Sequence, residues 1–193
     1  MPEARMKYCA AVLSLLTVLL SMLYAETPEP TRSFACLVTG NATVDSLFQS
    51  IPPQQISIEM ARQKSRPAVL DRINGYLFLS YHDQSGNTIE YTAALYTAGQ
   101  NGKRAFLMVA RTMHYIAQAP FTEGFWIYEY YPGTCINRTD DIFPWKNDGS
   151  LIKLPRKGTD LFRCIREGDD AGIKEVCSTF SWDLRKAKFS EKK

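Results

Sequence analysis

Seven consecutive residues, 125–131, contain five aromatic side chains and one β-branched side chain. This composition is typical of a pleated, half-buried strand, and the Pro132-Gly133 pair that follows is typical of a type II turn. Side chains alternate along a strand, which gives it two faces. One face carries Trp126, Tyr128 and Tyr130, and the other carries Phe125, Ile127, Glu129 and Tyr131. Because both faces are largely apolar, we predict that this strand lies inside a sheet with apolar layers on both sides.

The first 25 residues have the layout of a secretory signal peptide. Arg5 and Lys7 precede an apolar run over residues 10–20, and Ala25 is a small residue suited to the position before cleavage. The run is short for a membrane span, and an uncleaved anchor is the alternative. We predict cleavage after Ala25 and a secreted or periplasmic protein. The predicted segments are a signal peptide (1–25), a flexible lead-in (26–33), a single β-rich domain (34–189) and a basic tail (190–193).

The exported chain is close to neutral. Removal of the signal peptide leaves 168 residues, of which 21 are basic and 19 acidic, for a net charge of +2. This length suits one domain with a sizeable core. No basic stripe interleaved with aromatic residues is present, so nucleic acid is not an expected partner. No membrane span is expected after cleavage, and the sequence leaves the oligomeric state open.

Four cysteines remain after cleavage, an even number in an oxidising compartment. They predict two disulfides, for which three pairings exist. Cys164 and Cys177 lie in two short predicted strands on either side of a Gly-Asp-Asp-Ala-Gly turn, which favours their pairing and leaves Cys36 for Cys135. No Cys-x-x-Cys pattern occurs, so we expect neither a redox motif nor a cysteine-based zinc site, and we predict no metal or cofactor.

Strand patterns separated by turn residues dominate the mature chain, at intervals of roughly ten residues. Asn101-Gly102 is the strongest hairpin pattern, and one short helix capped by Thr43 is predicted to end at Pro52-Pro53. A further helical turn is predicted over residues 68–73. The predicted strands cover residues 56–60, 76–81, 88–96, 105–116, 125–131, 151–154, 161–166 and 176–184, with a return strand near 189. We therefore predict a mainly β fold, an antiparallel meander forming a sandwich or barrel, with one or two short helices.

Part of the chain resembles small exported bacterial β-rich proteins. The resemblance rests on residues 125–144, on the Leu-Pro-Arg-Lys-Gly-Thr turn at 154–159 and on the Phe-Ser-Trp-Asp strand at 180–183. In those proteins an aromatic strand ends near an Asp-x-Phe/Ile-Pro sequence, a similar turn follows, and a tryptophan strand closes the chain. These motifs are turn and core residues. The resemblance implies an exported β-rich domain and identifies no catalytic residue.

Carboxylates and one histidine are the candidates for catalysis. If Glu129 is buried among its aromatic neighbours, its pKa is raised, and with Asp140 or Asp141 it matches a two-carboxylate glycosidase scheme. The alternatives are that Glu129 faces solvent or pairs with Arg111 across the sheet. His114 has no partner beside it in the sequence, and no Gly-x-Ser-x-Gly motif is present. We therefore do not expect a hydrolase of a familiar class.

Two further patterns are explained by simpler roles. The acidic pairs Asp140-Asp141 and Asp169-Asp170 lack the spacing of a calcium-binding loop, and turn formation accounts for them. Asn41 and Asn137 begin Asn-x-Thr patterns, which are glycosylation acceptors only in a eukaryotic secretory pathway.

Aromatic residues carry the functional prediction. Binding sites for sugars use Trp and Tyr side chains, whose flat faces stack on the ligand and whose polar ends donate hydrogen bonds. Trp126, Tyr128 and Tyr130 share one face and Trp145 lies in a loop, so these four are the ligand-binding candidates; the alternative is that the row is core. We predict a non-enzymatic exported binding module for a carbohydrate or protein ligand. A glycosidase-like hydrolase and a structural envelope protein without a ligand are the alternatives.

Overall fold

Most of the described residues lie in β-strands. The computed structural model describes residues 32–36, 38, 41–55, 67–99, 102–116, 118–143, 146–169 and 172–192. These residues form two antiparallel sheets and two short α-helices, which confirms the predicted mainly β fold. The predicted strand at 56–60 and the segment 1–31 lie outside the described residues.

The larger sheet has seven strands. They are β1 (Ser33–Cys36), β2 (Val69–Asp71), β3 (Tyr76–His82), β4 (Thr88–Ala98), β5 (Arg104–His114), β6 (Phe121–Tyr131) and β7 (Gly133–Asn137), in the spatial order β1-β7-β6-β5-β4-β3-β2. Strands β2 to β7 form a meander of successive antiparallel neighbours. The sequence predicts this meander for β3 to β6, whereas it does not predict β2 and β7 as strands. At the β6–β7 turn, Gly133 has φ +86°, the left-handed value that a type II turn requires of its third residue.

The smaller sheet has four strands. They are β8 (Leu151–Lys153), β9 (Asp160–Asp169), β10 (Gly172–Asp183) and β11 (Lys188–Glu191), in the order β11-β10-β9-β8. Its inner face packs on one face of the large sheet. Trp182 is central to this packing, because its ring centroid lies 5.6 Å from that of Tyr96, 5.3 Å from that of Phe106 and 5.1 Å from that of Phe189. Its indole N–H donates a hydrogen bond to the carbonyl of Thr97 at 2.8 Å.

The other face of the large sheet packs on helix α1 (Val44–Ser50). Thr43 caps this helix as predicted, because its hydroxyl accepts a hydrogen bond from the Ser46 N–H while the Ser46 hydroxyl accepts one from the Thr43 N–H. Buried Leu47 and Phe48 face the sheet. We call this face of the large sheet the helix face. A 3₁₀ turn (Pro53–Gln55) follows, and α2 (Thr139–Ile142) lies after β7.

Strand β6 holds the aromatic segment between β5 and β7, with a core on each side. Tyr128 belongs to the core on the helix face, and Phe125 and Ile127 belong to the core between the sheets. The prediction of apolar layers on both sides is therefore confirmed.

The helical turn predicted over residues 68–73 is wrong. Val69–Asp71 form edge strand β2, which pairs with residues 76–78 of β3 through the turn at 72–75. The backbone pairing with β3 is a tertiary interaction that outweighs the local helical pattern of three residues. Gly75 permits this turn, because it has φ +63° and a Cβ there would lie 3.0 Å from the Cβ of Leu95.

Both predicted disulfides are confirmed. Cys36–Cys135 joins β1 to β7 in the core on the helix face, and Cys164–Cys177 joins directly opposite residues of β9 and β10. No helix within the described residues is long and apolar enough to cross a membrane.

Candidate functional site

Glu129 is fully buried and both of its carboxylate oxygens are ion-paired. Arg104 Nε lies 2.6 Å from Oε1 and Arg138 Nε lies 3.1 Å from Oε2. The expected pairing with an arginine is thus present, but its partners are these two residues. Arg111, the partner considered from the sequence, pairs with Glu123.

The electrostatic surroundings of Glu129 oppose a role as a general acid. Burial raises the pKa of Glu129, but hydrogen bonds from Arg104, Tyr131 and Arg138 together outweigh burial and hold that pKa below its ordinary value. A glycosidase acid needs a pKa shifted in the opposite direction. Asp141 is connected to Glu129 only through Arg138, whose Nη1 lies 2.9 Å from Asp141 Oδ2. Asp140, the other proposed partner, is exposed on α2.

Replacing Glu129 with glutamine is expected to lower the free energy of unfolding at neutral pH by about 1–3 kcal/mol, because it removes hydrogen bonds to a charged acceptor. The folded-state pKa lies below the ordinary 4.5. Ionised Glu129 therefore stabilises the fold above that pH, and the stabilisation is lost as the pH falls further towards the folded-state pKa. Urea unfolding at about pH 7 and about pH 3 should show the difference between wild type and variant shrink at the lower pH. Exposed Glu191→Gln is the control, and a difference that does not depend on pH would contradict this account.

His114 does have an acidic neighbour, although not in sequence. Its Nε2 lies 2.9 Å from Glu90 Oε2, and both side chains are about one-third exposed, at 35% and 29%. The β4–β5 register places Thr88 opposite His114 and Glu90 opposite Thr112, so the pair is a diagonal neighbour across the sheet. A two-residue turn at Asn101-Gly102 would place Ile89 opposite His114, one residue away from the observed register, so the sequence pattern does not reveal the pair. A histidine with an orienting carboxylate can act as a base, but no nucleophile is hydrogen-bonded to His114 within the described residues.

The proposed aromatic row separates into core and surface. Tyr128 is core, since it is 1% exposed, its hydroxyl donates to Gln55 Oε1 at 2.6 Å and its ring packs against Phe34. Trp126 and Tyr130 are partly exposed on the helix face. Trp145 lies outside the described residues.

Trp126 lies over the backbone of its own strand. A Cβ added at Gly124 would be 2.2 Å from Cη2 and 2.6 Å from Cζ2 of the indole, far inside contact distance. The six-membered ring of Trp126 therefore occupies the space above Gly124 that any other residue would fill. Glycine at this position is what allows the indole to lie against the sheet.

An ion pair lies beside the indole. The β5–β6 register shifts here, with Arg111 opposite Gly124 and Thr112 opposite Thr122, so Glu123 is the extra residue of a β-bulge. A bulge redirects side chains, and Glu123 reaches Arg111, with Oε2 3.1 Å from Nε. The two side chains are 36% and 24% exposed. The Arg111 guanidinium also lies 6.0 Å from the ring centroid of Tyr91, within range of a cation–π contact.

Further aromatic rings lie on the same face of the sheet as this ion pair. Tyr81 stacks with Tyr91, with ring centroids 6.4 Å apart, and Tyr115 stacks with Phe121, with centroids 5.9 Å apart. Tyr81, Tyr115 and Phe121 are partly exposed and pack on the core of the helix face. We call this surface the indole patch. It consists of the partly exposed rings, the indole with the glycine beneath it and the ion pair: Tyr81, Arg111, Tyr115, Phe121, Glu123, Gly124 and Trp126.

No family model, curated protein or solved structure matches the chain. The resemblance to small exported bacterial proteins therefore stays a prediction.

Sequence reasoning identified Trp126 but missed Arg111–Glu123 and Gly124 as its neighbours. The pattern that could have revealed them is the Thr-Glu-Gly sequence at 122–124, since a glycine inside a strand pattern marks a bulge or a close approach. Chemically, the patch offers an apolar ring surface, guanidinium donors and carboxylate acceptors on one side of a sheet. This combination matches a ligand with apolar faces and a hydroxyl-bearing edge.

Proposed function

We propose that the protein is an exported, non-enzymatic binding module and that its indole patch binds a carbohydrate. The observation that carries the proposal is the position of Trp126, whose indole lies over Gly124 beside the Arg111–Glu123 ion pair. Tyr128, the next aromatic residue on the same strand face, is core and takes no part.

The indole supplies the apolar part of the proposed site. Sugar rings have C–H-rich faces that stack on aromatic side chains, and tryptophan offers the largest such surface. Gly124 leaves room for the indole to pack directly against β6, and a side chain packed in this way has less rotational freedom to lose on binding. A preorganised indole favours specific stacking of a sugar ring over non-specific apolar contact.

The ion pair supplies the polar part. Arginine donates several N–H groups in a fixed plane and a carboxylate accepts hydrogen bonds, so together they suit neighbouring hydroxyls that both donate and accept. Arg111 and Glu123 neutralise each other. The site therefore favours a neutral glycan over an anionic one.

The disulfides support the proposed location. Two disulfides in one small chain are typical of proteins that leave the cytoplasm. Outside the cytoplasm such a protein meets the glycans of cell surfaces.

Replacing Trp126 with alanine is expected to weaken glycan binding at least about tenfold, which corresponds to about 1.4 kcal/mol. Calorimetric titration with cello-, chito-, xylo- and manno-oligosaccharides measures the loss, with polygalacturonate as the anionic comparison. The matched control is Phe162→Ala, which removes a partly exposed aromatic side chain from β9.

Gly124→Ala tests the same site with every aromatic side chain kept. The added methyl displaces the indole, so binding should weaken while the free energy of unfolding falls by about 1–3 kcal/mol. If none of these glycans binds, or if Trp126→Ala binds as wild type, the indole patch is not a carbohydrate site. The structural envelope role then becomes the better account.

A further inference from the structure

We propose that Cys164, Cys177 and Glu175 form a zinc site when the Cys164–Cys177 disulfide is reduced. This inference is independent of carbohydrate binding and concerns the small sheet. One potential ligand atom from each residue, two sulfurs and one carboxylate oxygen, lies within 4.8 Å of the other two. It is the one such group of three found among the described residues.

The sheet presents these three ligands on one face. Cys164 and Cys177 are directly opposite each other in the β9–β10 pairing, with Cα atoms 4.0 Å apart. Glu175 lies two residues before Cys177, so its side chain emerges on the same side of β10. Ten residue pairs join β9 to β10, and this backbone pairing holds the two sulfurs side by side after their covalent bond is broken.

The distances match the requirements of zinc. In a tetrahedral site with Zn–S bonds of about 2.3 Å and a Zn–O bond of about 2.0 Å, sulfur and oxygen ligands are about 3.5 Å apart. The Sγ of Cys177 lies 3.5 Å from Oε1 of Glu175. The sulfurs need only separate to about 3.8 Å, the corresponding sulfur–sulfur spacing, through rotation of their side chains. Two thiolates and one carboxylate leave a fourth position for water.

Access differs between the two disulfides. Cys177 is exposed, whereas both cysteines of the Cys36–Cys135 bridge are buried, at 0% and 2% exposure. Thiolate attack requires access to a sulfur, so a dithiol reaches Cys177 first. In this exchange the dithiol is oxidised to its own cyclic disulfide, and Cys164 and Cys177 become two thiols. Each thiol then releases one proton as it binds Zn²⁺.

Lys153 competes for the carboxylate. Its ammonium group contacts Oε1 of Glu175, which lowers the pKa of Glu175 and keeps it ionised. The metal has to replace this contact. The sequence predicts that Cys164 and Cys177 come together as a disulfide, so a metal site that forms only after reduction was not expected from it.

The test uses the full exported chain. The protein is treated with a dithiol under native conditions, and the dithiol is then removed under anaerobic conditions. Thiol alkylation and peptide mapping should show Cys164 and Cys177 reduced while Cys36–Cys135 stays oxidised. The reduced protein should bind one Zn²⁺, and Cd²⁺ in its place should give the thiolate-to-metal charge-transfer absorption band. The oxidised protein should show neither.

Variants assign the ligands. Glu175→Gln should weaken zinc binding at least about tenfold, a loss typical of a disturbed zinc site, whereas Glu191→Gln on the neighbouring strand should bind as wild type. The double variant Cys164→Ser Cys177→Ser, treated in the same way, should bind no metal, even if the dithiol opens both bridges in wild type. A reduced wild-type protein that binds no zinc, or that binds no more than the double variant, overturns the proposal. Unchanged affinity in Glu175→Gln overturns the assigned ligand set.

Discussion

Replacing Cys36 and Cys135 together with alanine should lower the free energy of unfolding by about 4–5 kcal/mol. The bridge joins residues 99 positions apart. Its loss opens a long closed loop in the unfolded chain and raises the conformational entropy of the unfolded state. It also removes the covalent bond between edge strand β1 and β7, whose two cysteines are buried in the core. Urea unfolding followed by circular dichroism measures the change.

The control is the shorter bridge. Cys164 and Cys177 are 13 residues apart, so the double alanine variant there should lose only about 3 kcal/mol in the same chain-entropy model. Equal losses from the two variants, or a larger loss from the shorter bridge, would show that loop length does not determine the contribution of these disulfides.

Trp182→Ala is expected to lower the free energy of unfolding by about 3–5 kcal/mol. The indole contacts rings from both sheets, and its N–H donates to the Thr97 carbonyl at 2.8 Å. Truncation leaves a cavity between the sheets and an unpaired carbonyl. Differential scanning calorimetry gives the change.

Trp182→Phe separates the two contributions. Phenylalanine keeps most of the ring packing against Tyr96 and Phe106 but cannot donate to Thr97, so a loss of about 1–2 kcal/mol is expected. If Trp182→Ala costs less than this, the two sheets do not depend on the indole for their packing.

The features that could be predicted from the sequence depend on local chemistry. Thr43 starts a helix because its hydroxyl bonds a backbone group three residues away, and Pro132-Gly133 makes a turn because only glycine readily adopts the required φ. The disulfide pairing was also predictable. A short turn between Cys164 and Cys177 brings them together, and the other pair follows by elimination.

The features that could not be predicted depend on register between distant strands. Whether Glu129 pairs with Arg104, Arg111 or Arg138 is decided by which residues lie opposite each other in β5, β6 and β7. Glu129 lies opposite Phe106, five residues along β5 from Arg111, and Arg111 pairs instead with Glu123 at the bulge. Similarly, Val69–Asp71 is a strand only because β3 is beside it. Trp126 and Tyr128 have the same sequence pattern, and only packing makes one a surface residue and the other core.

The position of β6 inside the large sheet has a consequence for solubility. A run of aromatic and β-branched residues with low net charge and no proline is prone to amyloid-like self-association when its backbone is unpaired. In the folded chain β5 pairs along most of Phe121–Tyr131 and β7 pairs with its last four residues, Tyr128–Tyr131. The outermost strands of the large sheet, β1 and β2, are only four and three residues long. Such short edges offer few backbone groups to a second molecule. The Cys36–Cys135 bridge thus helps to keep β7 paired with the Tyr128–Tyr131 end of an aggregation-prone strand, and its reduction exposes the chain to precipitation as well as to unfolding.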